Sequence, residues 1–459
     1  MASADHRTGA RERWTRRRSN SGDGPPRGCH DRRVNEGATD RQGRTTRPPV
    51  QIRAMGRQDR EALIELDQWA FGFDLEGVEF DPILATMEWD RIFGAYLPDP
   101  ERLAGINATY TLDLPVPGGL VPCAGLTWVG VHPADRRRGV LTEMMRHHLA
   151  EVRRRGEPVS ALHAAEQAIY GRYGYGQASH HLELVLPRGA ELNDVAGCDA
   201  VPLRLERAEA DRHADLVSAC YQAARLDRPG MVSRNAAAIG HAFADQIWMR
   251  RDAETLRILI ADGPGGGPAR GYVLFRRKGS WTDGIPDGEV QVREFVARDP
   301  AAARALWGRL VDLDLMGLLR TDVRPTDDPL LSLLADYRAA KPRLTDGLWL
   351  RVVDLPGLLS ARRYVTDLET VLDVRDDLLA GNAGRWRLKV GPDGAACERT
   401  DLPADLALDI RELGAAYLGS RSLQALASAG LVFELREGAL AEASRAFSWP
   451  VAAYCGWQF

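Results

Sequence analysis

"HPADRRRGVLTEMMRHH", residues 132–148, sets three consecutive arginines and a glycine at the entrance of a stretch with helical periodicity. Leu141, Met144, Met145, His148, Leu149 and Val152 recur at the spacing of one helix face, so the run from Val140 into "AEVRRR" reads as an amphipathic helix. The preceding "LVPCAGLTWVGV", residues 120–131, is rich in β-branched and aromatic residues and reads as a strand. A helix entered from a strand through Arg-Arg-Arg-Gly presents unpaired backbone N–H groups, the positive end of its dipole and side-chain cations at one place. Strand, basic glycine turn and helix follow in the order that a pyrophosphate cradle requires, which predicts an anion site between Arg137 and Thr142.

Upstream, "VQIRAM" (50–55) alternates as a short strand, and "GRQDREALIELDQWAF" (56–71) carries Leu63, Leu66 and Trp69 near helical spacing. The extended runs 102–116 and 120–131 are divided by Pro117, Gly118 and Gly119, the signal of a hairpin. Downstream, a new strand and helix begin near Val201, "RGYVLFRRK" (270–278) and "EVQVREFVA" (289–297) read as strands, and Asp299 and Pro300 open a helix. No basic glycine loop precedes that helix. Beyond Gly347, "LWLRVVDL", "RWRLKVG" and "LALDIRELGAAYL" give a further α+β pattern.

The composition bounds the rest. A chain of 459 residues is long for one core and predicts two or three domains, and it has no apolar stretch of membrane-spanning length. Its six cysteines, Cys29, Cys123, Cys198, Cys220, Cys397 and Cys455, form no CxxC pair, which predicts a reduced, cytoplasmic protein without a zinc site. The histidine pairs 147/148 and 180/181 point apart on regular elements, so no metal is expected. Residues 1–49 hold twelve arginines, six acids and few large apolar residues, and read as a disordered Arg-rich tail. The net charge of −4 then leaves about −10 on the remainder, a body that draws in cations and repels nucleic acid.

"RRRGVL" resembles the R/Q-x-x-G-x-G/A loop of the GNAT acetyltransferase superfamily, without the small residue at its end. "EPVSALHAAEQAIYGRYGYGQAS", residues 157–179, taken with "VGVHPADRRRGVL", is similar to the enhanced intracellular survival (Eis) family within that superfamily. The resemblance runs from about Gln51 through "DGLWLRVVDLPGLL" to the terminal phenylalanine. It implies a mixed α+β chain of tandem GNAT-like domains, the catalytic one at 50–200 and one lacking the cofactor loop at 201–345. A domain similar to sterol carrier proteins follows at 346–459.

The same resemblance implies acetyl-CoA as co-substrate and carries roles onto particular positions. Backbone at Val129, Gly130 and Val131 would pair with the pantetheine arm. Main chain at Arg137, Arg138, Gly139, Val140, Leu141 and Thr142 would take the pyrophosphate, and Ala165 and Glu166 would complete the cleft. Tyr170 would be the general acid, since a phenol with a reference pKa near 10 is protonated at neutral pH. The carboxylate of Phe459 would be the general base, and "WPVAAYCGWQF" has the apolar character of a terminus packed inside. Gln458 stands where some relatives carry an acid. Phe71, Trp89 and Trp128 would wall a pocket for a small cationic amine, aromatic faces and carboxylates being suited to cations. The resulting expectation is an aminoglycoside-type N-acetyltransferase, a homohexamer bound neither to nucleic acid nor to membrane. A lysine or polyamine acetyltransferase, or a lipid- or partner-binding protein with a vestigial site, is the alternative.

Overall fold

A computed structural model describes residues 49–73, 78–98 and 100–459, so the expected tail at 1–49 lies almost wholly outside the described residues. The amino-terminal unit forms strands β1 (Gln51–Ala54), β2 (Ile92–Leu97), β3 (Arg102–Val116), β4 (Gly119–Val131), β5 (Val159–His163) and β6 (Gly176–Gln177), with helices α1 (Arg60–Phe71) and α2 (Val140–Arg154). Both helices and the hairpin lie where periodicity and the Pro-Gly-Gly turn predict them. One sheet runs β1, β2, β3, β4, β5, then strand Leu348–Val352, then β6.

A second seven-stranded sheet runs 343–346, 180–187, 316–324, 288–297, 271–278, 257–261 and 203–207. The two units have therefore exchanged a strand. Residues 180–187 leave the first unit to pair with 316–324 in the second, while 348–352 returns to pair with β5 over Val159–His163. The exchanged strands 180–187 and 348–352 flank the stretch expected as a second domain, 201–345. Alternation identifies a strand, but its partner is chosen by non-local packing that periodicity does not encode.

The third unit has a five-stranded sheet in the order 394–399, 384–391, 368–375, 406–409 and 432–434, with four helices between Leu355 and Phe447. It shares a core with the first unit: Tyr110, Leu112, Cys123, Val159 and Ala161 pack in one cluster with Leu350, Leu372, Leu408, Tyr417 and Phe447. The two faces of the first sheet are consequently different. Thr109, Leu126, Ser160 and Leu162 face α2, whereas Tyr110, Gly125, Ala161 and His163 face the third unit. Helix α1 covers the far end of that second face, where Leu66 and Ala70 lie over Gly130 and Ile106.

A buried Arg91–Glu157 pair, bidentate at 2.7 Å, ties β2's approach to the loop before β5. The last twelve residues are held by all three units. Ala452 N donates to Asp327, Ala453 N to the Ser420 hydroxyl and Tyr454 N to the Pro229 carbonyl, so this terminus is fixed at many points along its length.

Candidate active site

Strands β4 and β5 run parallel and pair only over Cys123–Gly125 with Val159–Ala161. Beyond that they splay. The cause is visible on β4: Ile106 pairs with Gly130 and Ala108 with Thr127, so Asn107 alone stands opposite both Trp128 and Val129. This is a β-bulge, and Trp128 takes the left-handed conformation at φ 51° to make it. From Leu126 to Val131 the side of β4 away from β3 pairs with no strand among the described residues, while β5 pairs along its far edge with Leu348–Val352. Main-chain N–H and C=O groups therefore line a cleft between the two strands.

The cleft has a volume of about 870 Å³. Val129, Gly130 and Val131 form one wall; Gly139, Val140, Leu141 and Thr142, at the start of the fifteen-residue α2, form its floor. The first helical N–H groups have no intrahelical acceptor and point at this space. Gly139 caps the helix at φ 90°, a conformation that a side chain resists, and Arg137 accepts the same strain at φ 67°. Val140, the first residue of α2, is buried against Gly105 of β3. A Cβ at 105 would lie 2.9 Å from Val140 Cγ1 and 2.6 Å from Met144 Sδ, so Gly105 makes the room that Val140 takes.

Ala165, Glu166 and Tyr170 close the opposite side of the cleft. Arg138 does not line it. Its guanidinium lies 2.9 Å from Asp135, a buried carboxylate that also holds Arg102, so it braces the turn from behind. Arg136, the first position of the R/Q-x-x-G loop, lines the cleft with Arg137, as does Arg172. Nothing in a run of three arginines says which one a carboxylate three residues earlier will claim. Phe71 lines the cleft, but Trp89 and Trp128 pack instead on the α1 cluster of Leu63, Leu66, Ile106 and Ala108.

Tyr170 packs with Leu126 of β4 and Leu162 of β5, on the α2 face at the mouth of the split. Burial, reinforced by the Glu166 and Tyr173 charges, pushes its phenol up to about 12, so the proton is firmly held. Phe459 lies on the other face. Its ring is 5.2 Å from that of His163 and 6.2 Å from that of Tyr110, and its edge approaches Gly125. Gly125 and His163 are each one residue from Leu126 and Leu162, so Tyr170 and Phe459 flank the split at the same level from opposite sides. His163 is pushed down to about 3 by burial and the neighbouring His181. Being neutral, it donates from Nε2 to the Trp457 carbonyl at 3.1 Å, fixing the chain two residues before the end.

The second sheet has the same parallel pair, 288–297 with 316–324, joined by helix Pro300–Val311. There Asp299 accepts from Ala302 N and pairs with Arg270, so a carboxylate already occupies the helix entrance. An incoming phosphate would meet its charge.

Among known proteins, residues 51–178 and 230–352 each match the acetyltransferase (GNAT) domain, and residues 355–456 match the sterol carrier protein domain. An N-acetyltransferase of Streptomyces avermitilis is 40% identical over 388 residues, covering 84% of this chain and 93% of its own. The N-acetyltransferase Eis of Mycobacterium tuberculosis is 36% identical over 342 residues, 72% of this chain and 79% of its own. The crystal structure of Eis1 from Mycobacterium abscessus superimposes with a TM-score of 0.76 at 30% identity, covering 90% of this chain and all of that one. With the split strands, the amide-lined helix entrance and these relatives together, the chain belongs to the Eis-type GNAT N-acetyltransferases, enzymes that take their acyl group from acetyl-CoA.

Proposed function

We propose that this enzyme acetylates primary amines of small polycationic molecules of the aminoglycoside kind. The observation that carries the reading is the placement of Tyr170 and Phe459 on opposite faces of one strand split. In this reading acetyl-CoA lies in the cleft, held by main chain from Val129 to Val131 and from Arg137 to Thr142, with Arg136 and Arg137 near its phosphates. The acceptor amine approaches from the Phe459 face. Its nitrogen forms the new N–C bond as the C–S bond breaks, and its proton passes to the terminal carboxylate, directly or through one water. A phenol near 12 is too weak an acid to surrender its proton early, so Tyr170 acts first as a hydrogen-bond donor to the sulfur and then protonates the departing thiolate.

The acidic body, about −10 outside the arginine-rich amino-terminal segment, favours a cationic acceptor. The reading extends to a homohexamer in the cytoplasm, for which the 63% and 67% exposed Trp281 and Ile285 offer an apolar contact. Thiol release from acetyl-CoA, measured across aminoglycosides, polyamines and lysine peptides, tests the substrate class. Turnover of lysine peptides alone would replace the aminoglycoside reading, and no turnover of any amine would overturn it.

A further inference from the structure

Helix α1 carries one residue that its packing does not explain. Asp67 lies on the apolar stripe of Leu63, Leu66 and Ala70, one turn before Phe71, and is 6% exposed. It has no hydrogen bond or ion pair among the described residues. Among the described residues, the neighbouring elements offer it no cation. Strands β3 and β4 turn Ile106, Ala108, Trp128 and Gly130 toward α1. On the turn before the helix, Asp59 is bound to Gly56 N, Arg57 lies over Trp89 and Arg60 pairs with Asp81. Burial alone pushes Asp67 up to about 7.

A second polar group in the same cluster is also unsatisfied: the indole Nε1 of Trp89 is buried without an acceptor among the described residues. A carboxylate and an N–H donor left over in one aromatic cluster are costly unless something outside the chain meets them. The cluster lies on the same sheet face as Phe459. Along β3, Ala108 belongs to the α1 cluster and Tyr110 contacts Phe459, two residues or about 7 Å away.

We propose that Asp67 and Trp89 form a recognition point for a second ammonium group of the acceptor, with Trp89 Nε1 donating to a hydroxyl or ether oxygen nearby. This rests on the amine-acetyltransferase reading and deepens it: the preferred acceptor is an aminated polyol with a further ammonium besides the nitrogen that reacts. Trp128 adds an aromatic face to the charge. Asp67 is a specificity residue and takes no part in the bond changes.

Kanamycin is the probe, tested on the full-length enzyme in three forms: wild type, Asp67→Asn and Trp89→Phe. For Asp67→Asn, KM for kanamycin is expected to rise at least tenfold with a much smaller change in kcat and an unchanged KM for acetyl-CoA. Wild-type affinity should strengthen as pH rises through about 7 while the amines remain charged, and the variant should lose that dependence. Trp89→Phe should weaken kanamycin several-fold without altering the pH profile. A merely structural Asp67 would leave the pH dependence of KM unmoved. Calorimetric binding of kanamycin to the CoA-loaded enzyme separates the two levels: binding without turnover overturns the proposed reaction but keeps the recognition point if Asp67→Asn abolishes it. Equal affinities and equal pH profiles for wild type and Asp67→Asn, in a variant that melts no lower, would overturn the proposal.

Discussion

Extending the chain by Gly-Gly after Phe459 removes one chemical group and little else. The terminal carboxylate becomes a peptide carbonyl, which has no useful basicity, and the new carboxylate moves about 7 Å along an extended chain. The contacts that seat the tail involve Ala452, Ala453, Tyr454 and the Trp457 carbonyl, all before the addition. The cleft that would hold acetyl-CoA has no lining residue from the tail. A positioned base contributes roughly 10²–10⁴ to a proton-transfer step. At about 1.4 kcal/mol per factor of ten, the extension should raise the barrier by about 3–5 kcal/mol. The assay is steady-state thiol release with acetyl-CoA varied at saturating amine, alongside CoA binding by calorimetry. We expect kcat to fall at least a hundredfold while CoA affinity stays within a factor of two. Undiminished kcat would refute the carboxylate as base, and parallel loss of CoA affinity would mean that the tail shapes the cofactor cleft instead.

Other consequences are open to simple measurements. Tyr170→Phe should lower kcat ten- to a hundredfold with CoA binding retained, and wild-type activity should show no acidic-group loss assignable to this phenol below about pH 10, since its proton is held to about 12. Gly105→Ala sets a methyl against Val140 and Met144, an overpacking of about 1–3 kcal/mol, to be read as a lower Tm together with a higher KM for acetyl-CoA as the loop shifts. Asp67 is raised from an unfolded value near 3.9 to about 7, so the folded state binds the extra proton between those values and wild-type stability falls as pH climbs from about 4 to 7. Asp67→Asn should therefore gain on wild type by up to about 4 kcal/mol above pH 7 and by little near pH 4, followed by urea unfolding at several pH values. Glu157→Gln leaves Arg91 buried beside a neutral amide and should cost about 3–5 kcal/mol in the same measurement.

How far the residues announce the site varies with how local each interaction is. The strand, the arginine-glycine turn and α2 are readable because cap, dipole and apolar stripe all lie within twenty residues of one another. Tyr170 and Phe459 are 289 positions apart in the sequence, and only the family resemblance brings them together. Arg136 and Arg138 are indistinguishable as letters; the buried Asp135 makes the difference between them. Asp67 leaves a signal, a carboxylate in phase with Leu63, Leu66 and Ala70, but a weak one, because helical stripes tolerate an occasional polar residue. The exchanged strands 180–187 and 348–352 left none, since each is apolar enough to belong to either sheet.

That exchange bears on how the molecule is made. The sheet that carries the cleft cannot close until residue 352 has left the ribosome, and the residue proposed as its base lies 107 residues further on. A chain cut between residues 353 and 458 would hold every strand of that sheet and lack the proposed base. Donor cleft and proposed base are thus completed at separate times in synthesis, and a chain cut before the third unit would also bare the apolar sheet face that this unit covers.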